Sequence, residues 1–443
     1  MAITRVNGSP AEHVAPTGRR SVSASVERQE RPTPRLEWVY VAVSLVLGFV
    51  LPQIPWASLP GLRSRLGKDE VIALLSAMSS GMMAFTGIVF SLLFIVLQFG
   101  SSAYTPHLVT LLMRNRTLRH AGGVFTGTFL YSLMALRGVG EAGGGTSAVI
   151  VWTAFAWLVA SVYLLLQLVR VFQTLAIDDV LDNLGKLGHH QVDRAYGPYA
   201  AESEVEDAKA IPMPGRATQA MQTVAHGGEP NYVLAVDAAR LAALACAADV
   251  LIRVPVIPGD SVTAGVCLAS VEGGPVSEDE LRAAIVLGRD RSFERSPRYA
   301  IRLLVDIAIR ALSTAVNDPT TAVHGLDQIE AILVHLGNAR LTDGPVRDEE
   351  GKLRVVLATT TWGEYLELGT AEIQQYGAGA LQVQRRLAAL FGLLLATVPD
   401  ARKAAVERLA REHSASVCRA FPEGRRRDAA DGADRQGLGH SSP

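Results

Sequence analysis

The sequence predicts a membrane α-helical protein with four transmembrane helices, followed by a C-terminal cytosolic α+β domain. The first observation is a run without Asp, Glu, Lys or Arg between Glu70 and Arg114, almost continuously apolar from Val71 to Phe99. A membrane span needs about 20 apolar residues, so this run is long enough to cross a bilayer. The second is the composition, because 49% of the 443 residues are hydrophobic and only 19% are charged. Both observations favour a chain that is partly embedded in lipid.

Four apolar segments are candidates for crossing the membrane, within a predicted transmembrane domain over residues 36–172. They cover residues 38–56, 71–99, about 118–136 and about 147–169. The third is the weakest, because Gly122, Gly123 and Gly127 lower its hydropathy, and an interfacial helix is the alternative for it. The central turns of all four lack ionisable residues, whereas ion-coupled carriers usually need them there. This pattern disfavours an active transporter and leaves a passive pore, an anchor or a sensor open.

The distribution of arginine and lysine predicts the orientation of these segments. The side assigned to the cytoplasm carries Arg19, Arg20, Arg28, Arg31, Arg35, Arg114, Arg116, Arg119 and Arg170. The opposite side carries Arg63, Arg65, Lys68 and Arg137. We therefore expect four crossings, with both termini in the cytoplasm.

Residues 1–35 and 413–443 are predicted to be disordered tails, because they are rich in polar residues, Gly and Pro and lack an apolar core. Residues 173–215 are predicted to form a helical extension and a linker. Apolar positions from Phe172 to Leu187 recur at helical spacing, so the fourth segment is expected to continue as an amphipathic helix.

The predicted α+β domain covers residues 216–412. Strands are expected at 219–225, 232–236, 250–257 and 262–271, with turns between them. From Ser277 onward the chain is predicted to be helical, because a capping box opens a helix that reaches about Leu287. Further helices are expected from Pro297, from Pro319 to about Leu336, and over residues 363–376, 380–396 and 402–413.

Several of these segments resemble one family of proteins. The stretch LLVDIAIRALSTAVNDPTTA (303–322), together with LQFGSSAYTP (97–106), GTFLYSL (127–133) and PGDSVTAG (258–265), is similar to a bacterial family of predicted membrane proteins catalogued as domain of unknown function 2254. The similarity covers about Trp38 to Arg411, with one departure at Ser313-Thr314, where the family usually has Ser-Pro. The resemblance implies the architecture above and a multi-pass place in the bacterial inner (plasma) membrane. It supplies no activity and no catalytic residue.

Arg310, Asn317, Asp318 and Pro319 form a candidate site at the corner between two predicted helices. One interpretation is a ligand or anion site, because free N–H groups at the start of the Pro319 helix favour negative charge. The other is a structural corner in which Asp318 caps those N–H groups itself. Both interpretations stay open at this point.

Other chemistry-bearing residues predict no catalytic, cofactor or metal site. Adjacent histidines point to different faces of a helix, so His189 and His190 are interpreted as a solvated junction and not as a metal pair. Cys246, Cys267 and Cys418 are far apart in sequence and fit neither a disulfide framework nor a zinc site. Sequence motifs of nucleotide-binding loops, serine hydrolases and zinc peptidases are also missing.

These observations favour a non-enzymatic protein that acts as a passive channel or as a membrane-anchored sensor or scaffold. A membrane-bound enzyme or a solute transporter is the alternative. The net charge of −1 gives no field that would attract nucleic acid. The expected partners are the lipid bilayer and further copies of the chain, because small residues recur at helix-packing spacing at Ser76, Ser80 and Ala84. Packing within one chain is the alternative use of that face.

Overall fold

The computed structural model describes residues 36–54, 66–103, 116–141, 147–173, 177–199, 221–288, 296–341, 345–422, 428, 430 and 432–436. These residues belong to two compact units. The helical unit covers 32–199, 295–341 and 361–443, and the α/β unit covers 200–294 and 342–360. This division cuts across the predicted domain 216–412, because its helices cluster with the helices that precede residue 199. The predicted N-terminal tail lies outside the described residues.

The helices of the described residues are α1 (Leu36–Val50), α2 (Lys68–Ala103), α3 (Arg116–Glu141), α4 (Ala148–Gln173), α5 (Ile177–Ala195), α6 (Ala238–Ala248), α7 (Glu278–Ala283), α8 (Pro297–Ala311), α9 (Pro319–Gly337), α10 (Trp362–Tyr376), α11 (Leu381–Thr397) and α12 (Asp400–Ala420). The strands are β1 (Gly197–Pro198), β2 (Met221–Ala225), β3 (Asn231–Val236), β4 (Leu251–Val254), β5 (Ser261–Val262), β6 (Cys267–Glu272), β7 (Ile285–Gly288), β8 (Ala339–Arg340), β9 (Pro345–Arg347) and β10 (Leu353–Leu357).

Within the part of the chain that the structure describes, two helices are long and apolar enough to cross a membrane. These stretches are Lys68–Ser91 of α2 and Ala148–Arg170 of α4, with mean hydropathies of 1.7 and 2.2. Among the described residues, α1 is too short for this criterion and α3 is not apolar enough. The structure thus bears out two of the four predicted spans by length and composition. The structure also contains a C-terminal α+β region, as expected.

The surfaces of α2 and α4 distinguish them from core helices of a soluble protein. Only 28% and 22% of their most apolar windows are buried. Large apolar side chains stand on their outer faces, for example Ile88 (61% exposed), Phe94 (68%) and Trp152 (73%). Water would penalise such a surface, whereas lipid accommodates it.

Helix α3 has the opposite environment, because it packs against α1, α2 and α4. Its Phe125, Tyr131 and Ala135 are buried. Close approach depends on glycine: a Cβ on Gly127 would lie 3.1 Å from the Trp157 ring, and one on Gly138 would lie 2.5 Å from Pro52. The low hydropathy of α3 therefore accompanies an environment made of neighbouring helices.

The remaining helices of this unit form a bundle, the α8–α12 bundle, against which α5 packs through α8 and α9. The buried residues of α5 include Leu181, Leu184 and Val192, so its apolar stripe is covered within the chain. Residues 174–176, where α4 was expected to continue into α5, lie outside the described residues. Helix α12 extends to Ala420, beyond the predicted start of a tail at residue 413, because Val417 is buried in the bundle.

The α/β unit contains a five-stranded sheet of order β2-β6-β4-β10-β9 and a three-stranded sheet of order β5-β3-β7. Strand β10 runs parallel to β4, and the other neighbours are antiparallel. Ser277 caps α7 as predicted, but the helix ends at Ala283 and the expected helical residues up to Leu287 form β7. Pairing of Ile285 with Val236 of β3 overrides the local helical pattern there.

An ion-pair network holds α9 to α11 in the bundle. Arg386 is 2% exposed, and its Nε and Nη1 donate to Asp327 Oδ1 at 2.6 Å and Glu330 Oε2 at 2.7 Å. Removing one partner of a buried ion pair leaves the other charges without compensation.

Arg386→Met is therefore expected to lower the free energy of unfolding by about 3 kcal/mol. Denaturant unfolding of the full chain in detergent micelles measures it. The matched control is Arg408→Met, which breaks exposed ion pairs with Glu367 and Glu412 and should change stability far less. Equal effects of the two substitutions would contradict a stabilising role for the Arg386 network.

Candidate functional site

The predicted corner lies where α8 ends and α9 begins. Asp318 is the N-cap of α9, since its Oδ1 accepts from Thr321 N at 3.2 Å and its Oδ2 accepts from Thr321 Oγ1 at 2.5 Å. Pro319 occupies the first turn, where its missing N–H leaves no unsatisfied donor. Asn317 adopts a left-handed φ of 49°, and Arg310 lies in the last turn of α8. The cap geometry is that of the structural-corner interpretation.

A second polar cluster lies on the contact between α5 and α9. Asp178 and Asp182 of α5 face His324 and Gln328 of α9, and farther along His189 and Asp193 face His335. Partner numbers rise together along both helices, so α5 and α9 run parallel. We call these seven residues the α5–α9 polar row.

Two glycines let the helices approach closely enough for this row to form. A Cβ on Gly185 would lie 2.0 Å from Gln328 Oε1, and one on Gly188 would lie 2.3 Å from Ile332 Cδ1. A larger residue at either position would require the Gln328 or Ile332 side chain to move. The glycines of α5 therefore set the distance across which the polar row pairs.

His189, His335 and Asp193 form the C-terminal end of the row. The Nδ1 atoms of the two histidines are 2.9 Å apart, and their rings stack with centroids separated by 5.2 Å. His335 Nε2 lies 3.0 Å from Asp193 Oδ1. A hydrogen bond between two ring nitrogens needs a proton on one and a free lone pair on the other. The pair therefore keeps this bond only while at least one Nδ1 is unprotonated.

The pKa of His189 lies below its ordinary value. Burial is the main cause, the nearby His335 adds to it, and Asp193 acts in the opposite direction. The third helix at this contact, α8, presents the methyl group of Ala300 beside Gly188. The fold thus favours the neutral imidazole of His189, and this contribution to stability is present above about pH 6.5, the unfolded value. It is lost as the pH falls through the lowered pKa.

His324 forms the N-terminal end of the row with a different geometry. Its Nδ1 is 3.0 Å from Asp178 Oδ1 and its Nε2 is 3.3 Å from Asp182 Oδ1. Carboxylates only accept hydrogen bonds, so both contacts are satisfied together when both ring nitrogens carry protons. The two ends of the row therefore differ in their partners, since His324 lies between two carboxylates and His189 lies against a second histidine.

The prediction that His189 and His190 form a solvated junction holds for His190, which is exposed, and is wrong for His189. His189 packs on His335, 146 residues away in sequence. Among the described residues, no three His, Cys, Asp or Glu side chains are grouped as metal ligands.

The corner generates one prediction. Asp318→Ala removes the cap of α9 and should lower the free energy of unfolding by about 0.5–2 kcal/mol, while Asp318→Asn or Asp318→Ser should restore most of it. Thermal and denaturant unfolding of the full chain measure this. An Asp318→Ala chain of unchanged stability that loses a cellular phenotype would contradict the structural corner and favour a ligand site.

Comparison with known proteins gives the same family over most of the chain. Residues 35–392 match the family model described as "Predicted membrane protein (DUF2254)". Uncharacterized proteins of Mycobacterium bovis and Mycobacterium tuberculosis are 31% identical over 390 residues, which cover 83% of this chain and 72% of theirs. No solved structure matches the chain. The chain belongs to the DUF2254 family of predicted membrane proteins.

Proposed function

We propose that this protein is a membrane-anchored sensor of cytoplasmic pH. In this proposal, protonation of the α5–α9 polar row changes how tightly α5 is held by the α8–α12 bundle. The observation that carries the proposal is the 2.9 Å contact between His189 Nδ1 and His335 Nδ1. This contact joins α5, the first helix after the apolar α4, to the α8–α12 bundle. Histidine is the side chain that titrates near physiological pH.

At neutral pH, one histidine donates to the other, while His335 also reaches Asp193. When both imidazoles are protonated, the bond between the Nδ1 atoms is lost and two positive charges face each other. The side chain of His335 is 33% exposed, so protons reach the pair from solvent. Acid therefore loosens the C-terminal end of α5.

The N-terminal end of α5 acts as the fixed point. His324 contacts both Asp178 and Asp182, and Gln328 Nε2 donates to Asp182 Oδ1 at 2.8 Å. The Gln328–Asp182 hydrogen bond needs no histidine proton, so it persists while acid weakens the contacts of His189. The change is a pivot of α5, and the whole helix does not dissociate.

The membrane arrangement is part of the proposal. Four crossings with cytoplasmic termini, in the inner membrane, are supported by the arginine distribution and by the apolar outer faces of α2 and α4. Self-association is proposed through the small-residue face of α2, because Ser76, Ser80 and Ala84 are exposed in the single chain.

The buried hydroxyl groups of the membrane helices favour an anchor over a channel. Thr128 Oγ1 lies 2.8 Å from Ser161 Oγ, and Ser132 Oγ donates to Thr128 O at 2.9 Å. Tyr131 donates its hydroxyl proton to Ile150 O at 2.9 Å. These groups use one another and the backbone as partners, so they serve helix packing.

Hydrogen exchange of the full chain in lipid nanodiscs tests the proposal. Between pH 7.5 and pH 5.5, after correction for intrinsic rates, amides of residues 186–195 should lose protection by about fivefold, the factor that corresponds to about 1 kcal/mol. Amides of residues 177–184 should keep their protection, because the Gln328–Asp182 hydrogen bond at that end needs no histidine proton.

His189→Asn keeps a hydrogen-bonding side chain without the titration, so the acid response should disappear. The adjacent, exposed His190→Asn is the matched control and should respond like the natural chain. An equal loss of protection along all of α5, or a full response in His189→Asn, would overturn the sensor.

A further inference from the structure

A cavity of about 440 Å³ lies among α1, α2, α3 and α4. Its floor is formed by Ala121, Phe125 and Leu168, each 1% exposed. Its rim includes Trp38 and Phe90, which are 62% and 51% exposed. The cavity therefore opens on the side of the helices where their large apolar residues face outward.

The glycines of α3 create this space. A Cβ on Gly122 would find only Phe90 Cζ, at 3.9 Å, so the volume in front of the backbone is empty. Beside the cavity, the Tyr40 hydroxyl lies 2.9 Å from His120 Nδ1 and joins α1 to α3. The space is thus a built feature of the helix contacts.

One cation interrupts the apolar lining. Arg119 contributes to the wall, and the other polar side-chain groups among the lining residues are the Thr126 hydroxyl and the Trp38 indole N–H. Arg119 lies in the first turn of α3, and Arg170 stands two residues beyond Leu168 at the end of α4. An apolar slot with a guanidinium at its wall matches a molecule with a hydrocarbon chain and an anionic head.

We propose that this cavity binds one anionic glycerophospholipid of the cytoplasmic leaflet, with an acyl chain against Phe125 and Leu168 and the phosphate at Arg119. The side of the membrane rests on the proposed topology, whereas the binding itself does not. The surrounding bilayer supplies this ligand at high local concentration. Arginine binds phosphate through paired N–H donors, and the preference for anionic lipid follows from its net negative charge, because the trimethylammonium group of a zwitterionic choline lipid is repelled by the guanidinium.

Native mass spectrometry of the full chain, released from detergent after titration with lipid, measures this binding. Dioleoyl phosphatidylglycerol and dioleoyl phosphatidylcholine share their chains and differ in headgroup charge. The first bound molecule of phosphatidylglycerol should bind more tightly than that of phosphatidylcholine. Arg119→Gln should weaken phosphatidylglycerol binding by about fivefold, because one cation near an anionic headgroup contributes about that factor, and should weaken phosphatidylcholine binding less, so the preference falls.

Gly122→Leu places a side chain in the cavity and should weaken the binding of both lipids, because the leucine fills the space proposed for the acyl chain. Matched controls lie at the other end of the same helix. Arg137→Gln removes the same charge, and Gly140→Leu adds the same side chain where a Cβ meets nothing within 4 Å. Both controls should bind both lipids like the natural chain.

Three results would overturn the proposal: an unchanged preference for phosphatidylglycerol in Arg119→Gln, unchanged binding of both lipids in a folded Gly122→Leu chain, or tighter binding of free palmitate than of phosphatidylglycerol. The last would assign the cavity to a fatty acid. If Gly122→Leu fails to fold, the headgroup preference of Arg119→Gln decides alone.

Discussion

The environment of α3 is the constraint on which the membrane part depends. Lipid offers no hydrogen-bond partner, so a helix that carries glycine and hydroxyl residues needs protein around it. The structure provides this enclosure, with Thr128 against Ser161 and the Tyr131 hydroxyl on the backbone of α4. The helices that surround α3 carry the apolar outer surface instead. Where glycine leaves space that no neighbour fills, at Gly122, the cavity appears.

Glycine has a related role in the α5–α9 contact. Gly185 and Gly188 bring two helices so close that polar side chains at their margins must pair with one another. The pairing is uneven, because His324 lies between two carboxylates and His189 lies against another histidine. A contact that acid weakens at one end only is suited to a change in the angle between the two helices. This unevenness is the physical basis of the proposed sensor.

Features that depend on local chemistry were predictable from sequence. The Asp318 cap and the Pro319 start of α9 follow from residue preferences at helix termini. Strand β7 was missed because its residues became a strand only through pairing with β3. The short strands β9 and β10 were also missed, since β10 depends on parallel pairing with the distant β4. The His189–His335 contact required knowledge of which helices pack together. The weak hydropathy of α3 could not reveal its neighbours, because hydropathy reports preference for lipid alone.

The central claim is that α3 crosses the membrane inside a four-helix arrangement, and site-specific labelling tests it most directly. Single cysteines at Pro60, Thr110, Ala142 and Ala200, in a full chain whose native cysteines are replaced by serine, would be treated in spheroplasts with a membrane-impermeant maleimide. Our account predicts labelling at Pro60 and Ala142, with Thr110 and Ala200 reacting only after permeabilisation. Labelling of Thr110 and Ala142 from the same side would contradict the crossing of α3 and favour an interfacial helix.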